Sequence, residues 1–253
     1  MRLSIGIRGA IALVLASSLP LCAGSGKDEK KDKAKSGTEQ TVDSGAFGVF
    51  VKGQRVLTET FNIEQHSGVS IIKAQLRESD GNDVKQKSDL EFSGDGELVR
   101  YEWSQNSGGA INVMPKNDFL IEKVSASASA KPAEQPFLMP STSVILDNNF
   151  FVHREILAWR YLAADCKSEG GNLKCQKGPV EFGVLVPQDR TSMRIGIELV
   201  GKEKISIRGA EHNLLRLNLT GENMDWSLWL DDADHFKLMR VAIPADDTEV
   251  VRD

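Results

Sequence analysis

The sequence has few of the residues and motifs from which catalytic and metal sites are built. Among its 253 residues are 3 cysteines and 4 histidines, and the histidines stand singly at positions 66, 153, 212 and 235. A metal site needs several convergent ligands, so this scatter argues against one. The chain also lacks the motifs G-x-S-x-G, H-E-x-x-H and G-x-x-x-x-G-K-[ST], and it has no Rossmann glycine run. We therefore predict a non-enzymatic protein without a metal or a cofactor.

An excess of basic residues is lacking as well. The formal net charge is -5, and the lysines between Lys27 and Lys35 are interspersed with acidic residues. Binding to nucleic acid or to an anionic membrane surface needs clustered Lys and Arg. The composition therefore argues against both as the main partner.

Long apolar runs are missing beyond the N-terminus, where one short run predicts export. Arg2 and Arg8 give a basic start, and Gly9 to Leu21 form an apolar core shorter than a membrane span of about 20 residues. We predict a signal peptide at residues 1–22. Its removal takes two arginines with it and changes the net charge from -5 to -7. We expect the protein in the periplasm, at the outer membrane or outside the cell.

Cys22 leaves the processing of this segment open. Residues 19–22, LPLC, resemble a bacterial lipobox, in which the cysteine becomes a lipidated N-terminus, although Leu21 stands where a small residue is typical. Cleavage near Ala23 would instead remove the cysteine. Lipidation of Cys22 would supply the protein's membrane contact, through a lipid anchor.

Residues 23–45 are charged and lack large apolar side chains, which predicts a disordered linker. Residues 46–253 are predicted to form a single β-rich domain of about ten short antiparallel strands. Apolar side chains alternate with polar ones in many segments. In one such segment Val56, Thr58, Thr60 and Asn62 alternate with Leu57, Glu59, Phe61 and Ile63. Turn signals such as Asp80-Gly81 and Gly201-Lys202 separate the strands.

Residues 125–143, SASASAKPAEQPFLMPSTS, break this rhythm. The segment is rich in small residues, contains proline and has no period, which predicts a flexible surface loop. Loops of this length are frequently functional.

Residues 146–166, LDNNFFVHREILAWRYLAADC, form the one convincing predicted helix. Asp147 or Asn148 is a candidate N-cap. The helix is apolar around most of its circumference, with a narrow polar stripe at His153 and Arg160, so it must be buried on most sides. We therefore predict a mainly β fold, in which a strongly curved antiparallel meander sheet or half-open barrel wraps around one central helix.

Cys166 and Cys175 flank KSEGGNLK, a loop that can bring its ends together. In an exported protein this pair is predicted to form a disulfide that clips a hairpin. A metal site would need further ligands nearby, and a redox site would favour C-x-x-C spacing.

Three segments carry a resemblance to known families: residues 51–63, VKGQRVLTETFNI, residues 144–161, VILDNNFFVHREILAWRY, and residues 226–252, WSLWLDDADHFKLMRVAIPADDTEVVR. Together they resemble exported bacterial proteins of unknown function, which implies a curved antiparallel sheet with one internal helix. More loosely, the chain is similar to periplasmic lipoprotein carriers and their outer-membrane receptors. That resemblance implies an unclosed barrel that holds acyl chains, although a single mid-chain helix departs from the carriers.

Three functions are considered. The first is binding of an apolar or lipid-like ligand on the concave face of the sheet, where Arg160 would meet an anionic head group. Its candidate residues are Phe150, Phe151, His153, Trp159, Arg160 and Tyr161. Aromatic residues on a helix more often belong to the core, however, and the pair His153 and Arg160 also suits a solvated helix face. The second is a structural or assembly role, in which a sheet edge or residues 125–143 contact another envelope protein. The third is an unrecognised hydrolase, which would need Asp147 and Glu155 to converge in a cleft.

Overall fold

A computed structural model describes residues 40–170, 172–222 and 224–253. The predicted signal peptide, Cys22 and residues 23–39 of the predicted linker lie outside the described residues.

The described chain is mainly β-structure with one α-helix. The helix, α1, spans Val152–Asp165. The strands are β1 (Gln40–Val51), β2 (Gln54–His66), β3 (Val69–Glu78), β4 (Val84–Phe92), β5 (Leu98–Gln105), β6 (Ala110–Lys116), β7 (Phe119–Ser125), β8 (Ala133–Leu138), β9 (Val144–Ile145), β10 (Cys166–Glu169), β11 (Asn172–Cys175), β12 (Val180–Val186), β13 (Thr191–Ile207), β14 (Ala210–Gly221), β15 (Met224–Asp231), β16 (Lys237–Ile243) and β17 (Thr248–Arg252).

Fifteen strands form one sheet in the order β8-β7-β6-β5-β4-β3-β2-β1-β17-β16-β15-β14-β13-β12-β9. Neighbours pair antiparallel, apart from β9, which lies parallel to β12. The first and last strands of this domain, β1 and β17, pair with each other near the middle of the sheet. The two ends, β8 and β9, do not pair with one another within the described residues, so the sheet is open. The predicted fold class is confirmed.

The sheet must bend around α1, because one helix bonds to strands that are far apart in the strand order. The ring of His153 contacts Ser88 Oγ on β4 at 3.1 Å, and the Tyr161 hydroxyl accepts the Leu199 N–H on β13 at 3.0 Å. In a flat sheet β4 and β13 would lie eight spacings apart, about 38 Å. The two helix residues are separated by only about 12 Å along the axis. Curvature alone brings both strands to the helix.

The predicted linker ends earlier than residue 45, because β1 begins at Gln40. Residues 40–46 pair with β2, although their side chains are mostly polar and exposed. Backbone pairing and a buried Asp43, which binds Arg252 at 2.7 Å, order this segment despite its composition. The prediction of disorder is wrong for residues 40–45.

The predicted loop at residues 125–143 is also partly wrong. Its centre forms β8, which pairs with β7 from Ala133 to Leu138. Proline is tolerated here because β8 is an edge strand. On its free side the backbone N–H groups have no neighbouring strand to bond, so a missing N–H there costs no sheet hydrogen bond. Residues 126–132 and 139–143 connect β8 to its neighbours.

Candidate ligand-binding cleft beside the helix

Helix α1 is fixed to the sheet on three of its sides. Besides the contacts of His153 to β4 and of Tyr161 to β13, Glu155 accepts the Leu238 N–H on β16 at 3.3 Å. Most residues of the helix are buried, from Val152 to Leu162. The prediction that strands enclose this helix is therefore confirmed.

The fourth side of α1 faces a cleft of about 300 Å³. Four helix residues line it, Ile156, Trp159, Arg160 and Ala163, and they fall within a sector of about 100° on the helix surface. The opposite wall comes from the first four strands and the β4–β5 turn: Val42, Ile63, Gln65, Ser70, Ile72, Phe92, Ser93, Gly94 and Gly96. Seven of these thirteen residues are apolar, two are glycines, and the polar ones are Gln65, Ser70, Ser93 and Arg160. Concave, mainly apolar sites of this kind are where small ligands bind in proteins.

Trp159 is anchored at the mouth of the cleft. Its indole N–H donates to the Phe236 carbonyl at 2.9 Å, and its ring is half-buried. This bond fixes the ring, so the cleft has a preformed aromatic wall.

Arg160 is half-buried and also lines the cleft. Its guanidinium donates to the carbonyls of Gly96 and Ser143 and lies 4.9 Å from the centre of the Phe92 ring. Burial lowers the pKa of Arg160. Among the described residues no carboxylate lies within ion-pairing distance of it.

A buried polar group surrounds the start of α1, where sequence reasoning placed a capping Asp147 or Asn148. The cap is instead Glu59 on β2, whose carboxylate accepts the N–H groups of Phe151 at 2.6 Å and Val152 at 3.0 Å. Burial raises the pKa of Glu59 to about 8, against the opposing effects of these N–H groups. Asp147 shapes the preceding turn by accepting the N–H of Asn149 at 2.7 Å.

His153 belongs to this buried group rather than to a solvated stripe. It is fully buried between Ser88 and the Asp147 backbone N–H, and the Tyr101 hydroxyl donates to the Asp147 carboxylate. Burial lowers the pKa of His153 to about 4, so the ring is neutral near pH 7. The predicted stripe is thus divided: Arg160 reaches the cleft, and His153 is part of the core.

Arg154 was missed at the sequence level, and it is fully buried beside the same turn. It donates to the carbonyls of Asp147 and Phe150, and its guanidinium lies 5.0 Å from the Phe151 ring and 4.9 Å from the Trp226 ring. Burial lowers the pKa of Arg154 to about 10. We assign it, with Glu59, to holding the helix start in the sheet.

The signal for Glu59 was present in the sequence. Glu59 stands in phase with Leu57, Phe61 and Ile63, and an acid on the inward face of a strand needs a buried partner. For Arg154 the signal is weaker. It consists only of the polar triplet His153-Arg154-Glu155, which interrupts an otherwise apolar helix.

The other predicted ligand-binding residues lie in the core. Phe150, Phe151 and Tyr161 are buried and do not line the cleft beside α1, whereas Trp159 and Arg160 do. The sequence could not separate these aromatics, because which side of a buried helix is left unpacked depends on the strands around it.

The carboxylates proposed for a hydrolase do not share a cleft. Asp147 is fully buried with Tyr101, whereas Glu155 is fully buried beside Leu238 and Arg252. Neither lines the cleft beside α1. The described residues also include no cluster of three or more His, Cys, Asp or Glu that could hold a metal ion.

Cys166 and Cys175 form the predicted disulfide, at facing positions of β10 and β11 directly after the helix. No helix in the described part of the chain combines the length and apolar character of a membrane span.

Fold and cleft together define a mainly β protein in which one large open sheet of fifteen strands curves around one helix, with β10 and β11 forming a separate two-stranded sheet. No protein-family model matches the chain, and no curated protein matches it. A match among solved structures is a crystal structure described as a beta-barrel-like protein of domain of unknown function DUF1849 from Brucella abortus. Its TM-score is 0.47, its sequence identity 7%, and the match covers 83% of this chain and 94% of that chain.

Proposed function

We propose that this is a non-enzymatic, exported cell-envelope protein that binds an apolar or lipid-like ligand between α1 and the first strands of the sheet. The observation that carries the proposal is the cleft itself. The helix is packed on three sides, and its fourth side leaves about 300 Å³ lined by apolar side chains. This volume lies at the lower end of the range typical of small-molecule sites.

The looser resemblance to lipoprotein carriers points the same way, since it implies apolar chains held inside an unclosed sheet. The disulfide at Cys166 and Cys175 supports export, because such bonds persist in oxidising compartments. The buried polar residues at the helix start, Glu59, Asp147, His153 and Arg154, stabilise the fold and take no part in chemistry.

A matched pair of helix substitutions tests the proposal. Ala163→Leu adds a side chain into the cleft, whereas Ala164→Leu adds the same side chain at an exposed neighbour that does not line it. Protein purified from its own host is extracted with organic solvent, and the extract is analysed by mass spectrometry. We expect a co-purifying apolar compound with the wild type and Ala164→Leu, and much less with Ala163→Leu. An extract without any such compound from all three would refute the proposal, as would equal amounts from all three.

A second candidate, docking of another envelope protein, is favoured by exposed apolar side chains near edge strand β8. Leu138 is 76% exposed, Met114 50% and Phe119 39%, and Phe119 faces Leu138 directly across β7 and β8. Such patches frequently mark protein contacts. Pro136 lacks an N–H and interrupts the edge, so docking on the outer face is favoured over addition of a strand.

A photo-crosslinking residue at position 138 tests this second candidate in intact cells. One dominant crosslinked partner is expected from position 138. The control is position 200, because Val200 is 53% exposed and lies on β13. The same set of products from both positions would contradict a specific partner.

A further inference from the structure

The cleft beside α1 carries one charge, and that charge is positive. Of its thirteen lining residues, Arg160 is the single ionisable one, and the others are apolar, small or neutral polar. Among the described residues Arg160 has no carboxylate partner, and its bonds go to the neutral carbonyls of Gly96 and Ser143. Arg160 is half-buried, and removing a cation from water is costly without an anion, so an arginine in this setting is suited to a ligand that supplies one.

Arg160 is also fixed in position. The two carbonyls come from different segments, the β4–β5 turn and the connection before β9, and the Phe92 ring lies beneath the guanidinium at 4.9 Å. None of the guanidinium nitrogens of Arg160 is buried without a hydrogen-bond partner, whereas Nε and one terminal nitrogen of Arg154 are. The other N–H groups of the Arg160 guanidinium are therefore either hydrogen-bonded or accessible to solvent and to a ligand in the cleft.

Resting on the proposed function, we infer that the ligand is a single-chain amphiphile with an anionic head group. The chain lies between α1 and β2–β3, and the head group binds the forked N–H donors of Arg160 at the rim. One cation without a neighbouring basic residue matches one negative charge. The volume of about 300 Å³ holds on the order of ten groups the size of a water molecule or a methylene, which is one short chain rather than two. Carboxylates and phosphates both suit an arginine fork.

Four amphiphiles with the same decyl chain test the inference by isothermal titration calorimetry, each below its critical micelle concentration or, for decanol, below its solubility limit. They are decanoate, decyl phosphate, decanol and decyltrimethylammonium. With the wild type we expect at least one of the two anions to bind roughly tenfold or more tightly than decanol, and the cation to bind most weakly, as expected for a charge-assisted bond. Tighter binding of decanoate assigns a fatty-acid type of ligand, and tighter binding of decyl phosphate assigns a phosphate head group.

Substitutions of Arg160 complete the test. Arg160→Gln should remove the preference for the anion while decanol still binds, which shows that the variant is folded and its cleft intact. Arg160→Lys should retain part of the preference. The control, Arg194→Gln, removes an exposed arginine of β13 and should change nothing. The inference is overturned if decanol binds the wild type as tightly as the anions, or if Arg160→Gln keeps the preference. Failure of all four compounds to bind would overturn the proposed function as well.

Discussion

At the scale of single residues, the rim of the cleft depends on a glycine that has no room for a side chain. A Cβ at Gly94 would lie 2.8 Å from the carbonyl oxygen of Gly68. Gly94 belongs to the turn after β4 and Gly68 to the turn between β2 and β3, so the two turns touch through their backbones. Because Gly94 also lines the cleft, this contact sets the spacing of the wall opposite Trp159.

Gly94→Ala is expected to destabilise the fold by about 1–3 kcal/mol, because a backbone carbonyl cannot yield as a flexible side chain can. The matched control is Gly183→Ala, where the new Cβ would meet its nearest atoms at 3.8 and 3.9 Å, an ordinary contact. Urea denaturation measures both variants. Equal stability of Gly94→Ala and the control would show that the turns do not touch in this way.

At the scale of elements, α1 is held at its first turn by a carboxylate that is distant in sequence. Glu59 on β2 accepts two of the unpaired N–H groups at the helix N-terminus. A helix N-terminus also favours negative charge. Glu59 is also fully buried, and burial favours its neutral, protonated form, in opposition to the helix N–H groups.

The pH dependence of stability tests this assignment. The pKa of Glu59 is raised in the folded protein from its ordinary 4.5 to about 8. Between these values the folded chain holds a proton that the unfolded chain has released, so stability falls as the pH rises. Glu59 alone contributes at most about 1.4 kcal/mol per pH unit to this fall, and Glu122 and Glu155, whose pKa values burial also raises, add to it. His153 has the opposite effect, because its pKa is lowered from 6.5 to about 4 and stability rises with pH between these two values. Above about pH 6.5 this contribution of His153 to stability no longer changes.

Urea unfolding of Glu59→Gln at pH 6.5, 7.25 and 8 should therefore show a flatter pH dependence than the wild type, whatever the absolute stability of the variant. Glu97→Gln, at an exposed position before β5, is the matched control. Parallel curves for the wild type and Glu59→Gln would mean that this carboxylate does not titrate in the folded protein in that window.

The helix and the curvature of the sheet were predictable, because residues 146–166 are too apolar to lie on a surface and only strands are available to cover them. The cap was not, since Glu59 and Val152 are 93 positions apart and their meeting depends on the register of the sheet. The cleft was predictable only through Trp159 and Arg160. Which side of the helix stays unpacked is set by side chains on β2 and β3.

Predictions of loops and turns from local composition were wrong in two places where the backbone pairs with a neighbouring strand. The segment with Pro132, Pro136 and Pro140 reads as a loop, yet its centre pairs with β7. Gly201 reads as a turn, yet β13 continues through it with a bulge between Leu199 and Gly201, and the chain turns at Arg208-Gly209. In both cases a neighbouring strand supplies backbone partners that the sequence does not reveal.

At the scale of the whole molecule, one cluster joins the two ends of the domain to the helix. Arg252 on β17 binds both carboxylate oxygens of Asp43 on β1 at 2.7 Å and lies 3.6 Å from the carboxylate of Glu155 on α1. It also lies 5.2 Å from the centre of the Phe61 ring. Asp43 and Glu155 are buried, and Arg252 is the cation that lies near both carboxylates.

Arg252→Gln is expected to cost about 3 kcal/mol, because it removes the closest cation from a buried carboxylate and leaves Asp43 with only Lys237, at 3.7 Å. Asp43→Asn in the same chain should recover part of that loss, since it removes the unpaired charge. A double-mutant cycle by chemical denaturation measures the coupling between the two positions. Strictly additive losses would show that Arg252 acts through packing on the rings rather than through Asp43.

Ligand binding beside α1 can be observed directly in a crystal structure of the protein with a brominated decanoate, in which the anomalous signal of bromine locates the chain. We predict a bromine peak between Ile72 and Trp159, with the carboxylate beside Arg160. A peak elsewhere in the molecule, or well-ordered crystals with an empty space beside α1 at saturating ligand, would contradict it.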